Sequence, residues 1–234
     1  MELLRGGRDF VRVGHRGAAA LAPENTLAAI DAAAAHGVDA VELDVLGGRD
    51  GTLMLAHGPE VPEDAPPLDE ALALAAALGL AVQLDVKVHG IEAGVAAAVR
   101  GAGLIERSFV SSYSLPILAA FADAEPALPL SFTYPEDRLG ISEHPLVRPV
   151  VRPVLAAMRA RLPGRLPGLL HAAGARATTL NWSVVTPAAV AACHELGVAV
   201  YAWTVNERRL ASTLVAAGID GIITDDPRIL APFR

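Results

Sequence analysis

The chain has 234 residues, 53% of them hydrophobic, enough to bury a sizeable core in one large α/β domain. Its 26 acidic against 19 basic residues give a net charge of -7, which argues against a nucleic-acid partner and against docking on anionic lipid headgroups. The single cysteine, Cys193, rules out an internal disulfide and a cysteine-built zinc cage, and it fits a buried thiol on an apolar-periodic helix.

The N-terminal stretch MELLRGGRDFVRV lacks the apolar run of about 7 to 15 residues that a signal peptide needs. No later run reaches the roughly 18 apolar residues of a membrane span. A cytoplasmic protein without a membrane span is therefore expected, and with no Pro/Gly/Ser linker dividing the chain, residues 1–234 read as one domain.

In chain order, a strand FVRV (10–13) runs into His15, Arg16 and Gly17, and PENT opens a helix over 24–36. AVELDV (40–45) and TLMLAH (52–57) are separated only by LGGRDG, too short for a parallel crossover, so an antiparallel connection is predicted there. Further strands follow as AVQLDVKV (81–88), SFVSSY (108–113), PLSFTY (129–134), ATTLNW (177–182), AVYAWTV (199–205) and DGIITD (220–225). Helical patterns over 67–78, 91–102, 115–123, 186–196 and 206–217 lie between most of them.

Setting aside the one extra run leaves eight β/α units, which predicts a (β/α)8 TIM barrel with a short extra strand after the second barrel strand. The open doubly wound sheet is the alternative, but no glycine-rich dinucleotide loop supports it. Residues 136–168, rich in proline and arginine, resist assignment. They suit either a long loop with an internal helix over the barrel mouth or a segment packed outside.

A TIM barrel builds its active site at the C-terminal strand ends, and here those ends carry His15 and Arg16, Glu42 and Asp44, His57, Asp85 and Lys87, Ser112 and Tyr113, Asn181, Trp203 and Thr204, and Asp225. Side chains two apart on a strand share a face, so Glu42 pairs with Asp44 and Asp85 with Lys87, toward the barrel interior. Three inward carboxylates repel one another and lose hydration, so protons or a cation must relieve them. Oxygen-only ligands favour Mg²⁺ or Ca²⁺ over zinc. The plainer alternative, that these acids pair with arginines or cap loops, is common for a lone ExD. Two histidines beside the acids, Arg16 and Lys87 favour chemistry, because imidazole serves as both acid and base near neutral pH. A divalent cation together with Arg16 and Lys87 outweighs the three carboxylates, and such a site attracts an anion such as a phosphodiester.

HRG, PENT, ELD, the DG before the run ending in His57, LDVK, AWTVN and GIITDDP resemble, in order from Val13 to Pro227, the glycerophosphodiester phosphodiesterases. The resemblance implies a TIM barrel, cleavage of small glycerophosphodiesters to glycerol 3-phosphate and an alcohol, and a divalent cation at the barrel mouth. By position it implies His15 and His57 as the acid-base pair, Glu42, Asp44 and Asp85 as metal ligands, and Arg16, Lys87 and Trp203 on the substrate. Glu24 and Asn25 look like a loop brace and helix start. Two departures stand out. Asp85 occupies a place where the family usually has glutamate, and Gly58 one where it usually has aspartate. Rival readings are a related barrel phosphodiesterase acting on inositol- or choline-type lipids, and an inactive barrel that binds phosphate esters. Of the other histidines, only His89 shares the strand parity of Asp85 and Lys87.

Overall fold

Apolar residues at alternate positions on nearly every short strand leave two faces to bury, and a closed barrel wrapped in helices buries both. The computed structural model describes residues 10–48, 50–58, 60–135 and 148–233. Its strands are β1 (Val11–His15), β2 (Ala40–Gly47), β3 (Leu53–Leu55), β4 (Ala81–Val86), β5 (Ser108–Ser112), β6 (Leu130–Tyr134), β7 (Ala177–Asn181), β8 (Ala199–Trp203) and β9 (Gly221–Thr224). Parallel pairing runs β1-β2-β4-β5-β6-β7-β8-β9 and closes from β9 back to β1. This is the predicted eight-stranded barrel. Its helices are α1 (Leu27–Ala35), α2 (Leu68–Ala77), α3 (Glu92–Gly101), α4 (Leu115–Ala124), α5 (Arg148–Ala173), α6 (Pro187–His194) and α7 (Arg208–Ala216).

The extra run is β3, antiparallel to the end of β2 through Val45↔Leu55 and Gly47↔Leu53. Val45 pairs with β4 on its other edge, so β3 takes the edge that β1 leaves after His15↔Glu42. The strand is shorter than its sequence run, and the Ala56 amide still reaches the Asp44 carbonyl at 3.1 Å. His57 is thereby carried to the rim beside the end of β1.

Outward strand residues such as Val41, Leu43, Leu84 and Val110 join the helices in one large core. Inward residues form a second, smaller one: Val11, Val13, Ala40, Ala81, Phe109, Ala177, Ala199, Tyr201 and Ile223. Ala40 and Ala81 have the parity of Glu42, Asp44 and Asp85, which settles that these acids face inward. Phe109 and Tyr201 fill the interior with ring centroids 5.3 Å apart. Gly221 makes room for them, since a Cβ there would lie 2.1 Å from Tyr201 Cδ1. Gly221→Ala is accordingly expected to destabilise the barrel by about 1–3 kcal/mol. That lowers Tm by roughly 2–12 °C for a chain of this size, and an unchanged melting curve would show that Tyr201 does not fill that space.

The segment that the sequence left open holds α5. The stretch 136–147 lies outside the described residues, but 148–173 is one continuous helix of 26 residues despite its prolines. Leu162, Leu166, Leu170 and Ala173 repeat at helical spacing and join the outer core, while α5 packs on α4, α6 and β6. The C-terminal half of the segment therefore packs outside the barrel. Elsewhere the differences are at ends. The first helix starts at Leu27 rather than at 24, because Thr26 caps it by accepting from the Ala29 amide at 3.2 Å.

Candidate active site

The HRG turn begins where β1 stops. Arg16 and Asn25 adopt positive φ of 51° and 57°, rare for residues with a Cβ, and Gly17 follows at 84°. A Cβ on Gly17 would meet the Ala29 backbone at 2.6 Å, so glycine allows the turn to lie against α1. The turn is held to the carboxylates themselves. The Arg16 amide donates to Glu42 Oε2 at 3.0 Å, and the Gly17 amide donates to the Glu42 carbonyl at 3.2 Å. Asn25 is buried, donates through Nδ2 to Asp44 Oδ2 at 3.0 Å and accepts the Asp44 amide at 3.1 Å. PENT thus braces a site carboxylate as well as a loop.

Glu42 and Asp44 are only 4% and 3% exposed, and with Asp85 they bring one oxygen each to within 4.8 Å of one another. Asp44 stands directly across from Asp85 in the β2–β4 register. Lys87 Nζ bridges the two, 2.6 Å from Asp44 Oδ1 and 2.9 Å from Asp85 Oδ2. Arg16 Nε lies 3.2 Å from Asp44 Oδ2 at an angle that makes no hydrogen bond, and Arg16 Nη1 donates to Glu24 Oε2 at 2.6 Å. Even so, the cations do not balance the acids evenly. Burial raises the Asp44 carboxyl, but Lys87 and Arg16 outweigh it and hold the group below its ordinary value. Glu42 gets less relief, and burial together with the Asp44 charge pushes it up to about 7. A cluster of hard oxygen donors that cannot keep all its charges ionised alone suits a divalent cation, and Glu42, Asp44 and Asp85 fit that role.

His15 Nδ1 lies 2.6 Å from Asp225 Oδ1, and the other Asp225 oxygen accepts from Asn206 Nδ2. With Nδ1 engaged, Nε2 is the free nitrogen, 3.8 Å from Glu42 Oε2 on the cluster side. Burial would lower the His15 pKa, but Glu42 and Asp225 overcome it and raise it. His57 moves the other way. It is exposed at the rim, close enough to feel Asp44, Lys87 and Arg16, and partial burial carries its pKa down. Among the described residues no hydrogen bond holds its imidazole. Gly58, at φ 142° with open space where a Cβ would stand, offers no side chain to hold it.

The predicted residues His15, Arg16, Glu42, Asp44, Asp85 and Lys87 therefore form one connected group, with His57 beside it. Trp203 caps the inner apolar core from β8, its indole N–H buried and, among the described residues, unpartnered. His89 stays outside the group, 3.2 Å from Glu92 Oε1. Asp225 is legible in the sequence as a strand-end residue and Asn206 only as part of TVN, but their contacts are not, and the His15–Asp225 link spans 210 positions in the chain. Ser111 is a further addition, donating to Asp85 Oδ1 at 2.7 Å.

A TIM barrel with clustered carboxylates, two cationic side chains and two imidazoles at the C-terminal strand ends defines an enzyme class that handles anionic phosphate esters. The sequence matches the Glycerophosphoryl diester phosphodiesterase family over residues 15–65 and 105–229, and the chain belongs to that family. It is thus a phosphoric diester hydrolase. A glycerophosphodiester phosphodiesterase of Caldanaerobacter subterraneus is 26% identical over 257 aligned positions, covering 93% of this chain and 95% of that protein. Similar solved structures include a glycerophosphodiester phosphodiesterase of Agrobacterium tumefaciens (21% identity, TM-score 0.73, 95% of this chain and 99% of that one). Another is a phosphodiesterase of Oleispira antarctica in complex with sn-glycerol-3-phosphate (19% identity, TM-score 0.75, 95% and 96%). At those identities the two structures speak for the fold.

Proposed function

We propose that this chain hydrolyses small glycerophosphodiesters to glycerol 3-phosphate and an alcohol, with Mg²⁺ or Ca²⁺ held by Glu42, Asp44 and Asp85. The observation that carries the reading is the convergence of three carboxylate oxygens within 4.8 Å, flanked by the Asp225-bound His15. The cation, when bound, supplies positive charge to the phosphoryl oxygens. Arg16 and Lys87 add fixed positive charge for the same anion, and Trp203 lines the substrate side.

His15 and His57 divide the proton work. The two imidazoles are driven apart, His15 toward its protonated form and His57 toward its neutral form. His15 then donates through Nε2 to the leaving alkoxide, while His57 accepts a proton from the nucleophile. Each group contributes about 10²- to 10⁴-fold.

The test is release of glycerol 3-phosphate from glycerophosphocholine and glycerophosphoethanolamine by chelator-stripped protein, resupplied with Mg²⁺ or Ca²⁺. Stripped protein should be inactive and either ion should restore release. Because Glu42 holds its proton up to about 7 in the cation-free site, an ion must displace it. Cation affinity should then fall as pH drops below 7, by about tenfold per unit. Folded protein that releases nothing with either ion, or whose cation affinity ignores pH between 5 and 8, would count against the site.

A further inference from the structure

We infer that Ser111, itself anchored by Gln83, is a positioning residue that fixes Asp85 as a cation ligand and sets the affinity of the carboxylate site. The inference rests on the cation reading above and concerns groups beneath the carboxylates rather than among them. Asp85 and Ser111 face each other across β4 and β5 in register, and Gln83 lies two residues below Asp85 on the same inward face. Ser111 is 0% exposed and Gln83 3%. Gln83 Nε2 lies 3.0 Å from Ser111 Oγ, and Ser111 Oγ lies 2.7 Å from Asp85 Oδ1.

The direction of this chain follows from counting protons. The serine hydroxyl has one hydrogen, and a carboxylate can only accept, so that hydrogen goes to Asp85. The Gln83 group facing Ser111 must then be the amide N–H₂. A carboxamide turned the other way would claim the same hydrogen and leave two oxygens facing each other. Asp85 is therefore gripped at both oxygens, Oδ1 by Ser111 and Oδ2 by Lys87 at 2.9 Å. Only one of these grips is neutral. Lys87 brings a charge that competes with a bound cation for the same carboxylates, whereas Ser111 orients Asp85 without competing.

Stability alone does not account for a glutamine in this place. Among the described residues Gln83 Oε1 is buried with no partner, at a cost of about 1–3 kcal/mol that an apolar side chain would not carry. The Ser131 hydroxyl, next to Ser111 in register on β6, is likewise buried and, among the described residues, unpartnered. Elsewhere on the inward face Thr133 and Thr179 pair with each other at 2.7 Å, alongside the apolar interior cluster. A polar chain ending on a carboxylate, kept at that cost, is the arrangement of an outer layer that holds a metal ligand in place.

The experiment measures Mg²⁺ and Ca²⁺ dissociation constants by calorimetry on chelator-stripped full-length protein, with melting curves of each variant. Ser111→Ala removes only the hydroxyl and should weaken Mg²⁺ binding by about 10- to 100-fold. Ca²⁺ should lose less, because its coordination tolerates a loosened ligand better. Gln83→Leu should weaken Mg²⁺ several-fold while leaving the metal-free protein as stable as wild type or more so, a combination that a purely structural role would not produce; it also stands in should Ser111→Ala fail to fold. Wild-type dissociation constants in both variants would overturn the inference while leaving the cation site intact. Wild-type protein that binds neither ion, or a Glu42→Gln variant that binds as wild type does, would remove the cation reading and the inference with it.

Discussion

Replacing Asp44 by asparagine is expected to abolish divalent-cation binding and to lower kcat/KM for glycerophosphodiesters by about 10³-fold or more, since a bound ion is worth several kcal/mol of transition-state charge stabilisation. Asp44 is the hub of the cluster. It takes Lys87 on one oxygen and Asn25 on the other, with Arg16 Nε at 3.2 Å. Asparagine has the same shape, so an effect of this size would come from lost charge. Stability separates that from misfolding. The lowered Asp44 carboxyl stabilises the fold above its unfolded value near 3.9, and this is lost as pH falls through the folded value. Glu42, raised to about 7, has the opposite sign: its contribution is present below its ordinary value of 4.5 and is lost as pH rises through 7. Removing the Asp44 charge weakens the second effect as it deletes the first, so at pH 7 the two changes oppose each other. Stripped Asp44→Asn protein should consequently melt near the wild type yet gain nothing from Mg²⁺ or Ca²⁺. Ion-restored turnover within about tenfold of wild type would show that Asp44 is not a ligand.

Much of this arrangement was legible because strand parity is a strong local rule. ELD and LDVK, each on a predicted strand, place Glu42, Asp44, Asp85 and Lys87 on one face, and the barrel closes with that face inward. The β2–β3 connection was equally readable, because a short connection between two apolar runs admits only the antiparallel solution. Contacts that depend on closure were hidden. Asp225 meets His15 only because β9 pairs with β1, and Ser111 meets Asp85 only through the β4–β5 register. Neither distance is encoded in spacing. The extent and placement of α5 were left open by local reading for a different reason. Proline is a strong local helix breaker, but here the burial of Leu162, Leu166 and Leu170 on one stripe outweighs it.

The departures in the sequence also acquire physical content. A residue one methylene shorter than glutamate at position 85 has less reach, and the structure surrounds Asp85 with two fixed partners. Gly58 supplies no carboxylate at the position after His57, and among the described residues no hydrogen bond holds the ring. The two histidines are therefore supported unequally. His15 is braced from Nδ1 and half-buried, while His57 lies just past the short antiparallel strand β3, exposed at the rim.

That inequality makes Asp225→Asn the more revealing substitution on the histidine side, with an expected fall in kcat of about 10³-fold and little change in KM. The carboxylate accepts from His15 Nδ1–H, which leaves Nε2 facing the carboxylates. An asparagine held by Asn206 can present its N–H₂ instead, which opposes the Nδ1–H and disfavours the doubly protonated imidazolium that a general acid needs. In a triad whose aspartate likewise orients a histidine and stabilises its imidazolium, replacing that aspartate by asparagine is worth about 10⁴-fold. The pH profile gives an independent reading. Asp225 is among the groups that raise the His15 pKa, so its loss should lower that pKa. If His15 is the general acid, activity fails once it deprotonates, and the alkaline limb should move to lower pH in Asp225→Asn. A shift of the acid limb alone would instead make His15 the base and exchange the roles proposed for the two histidines. Combining the substitution with His15→Ala closes the argument. If Asp225 acts only through His15, the double variant should be no slower than His15→Ala, whereas additive losses would mean that Asp225 touches the reaction by another route.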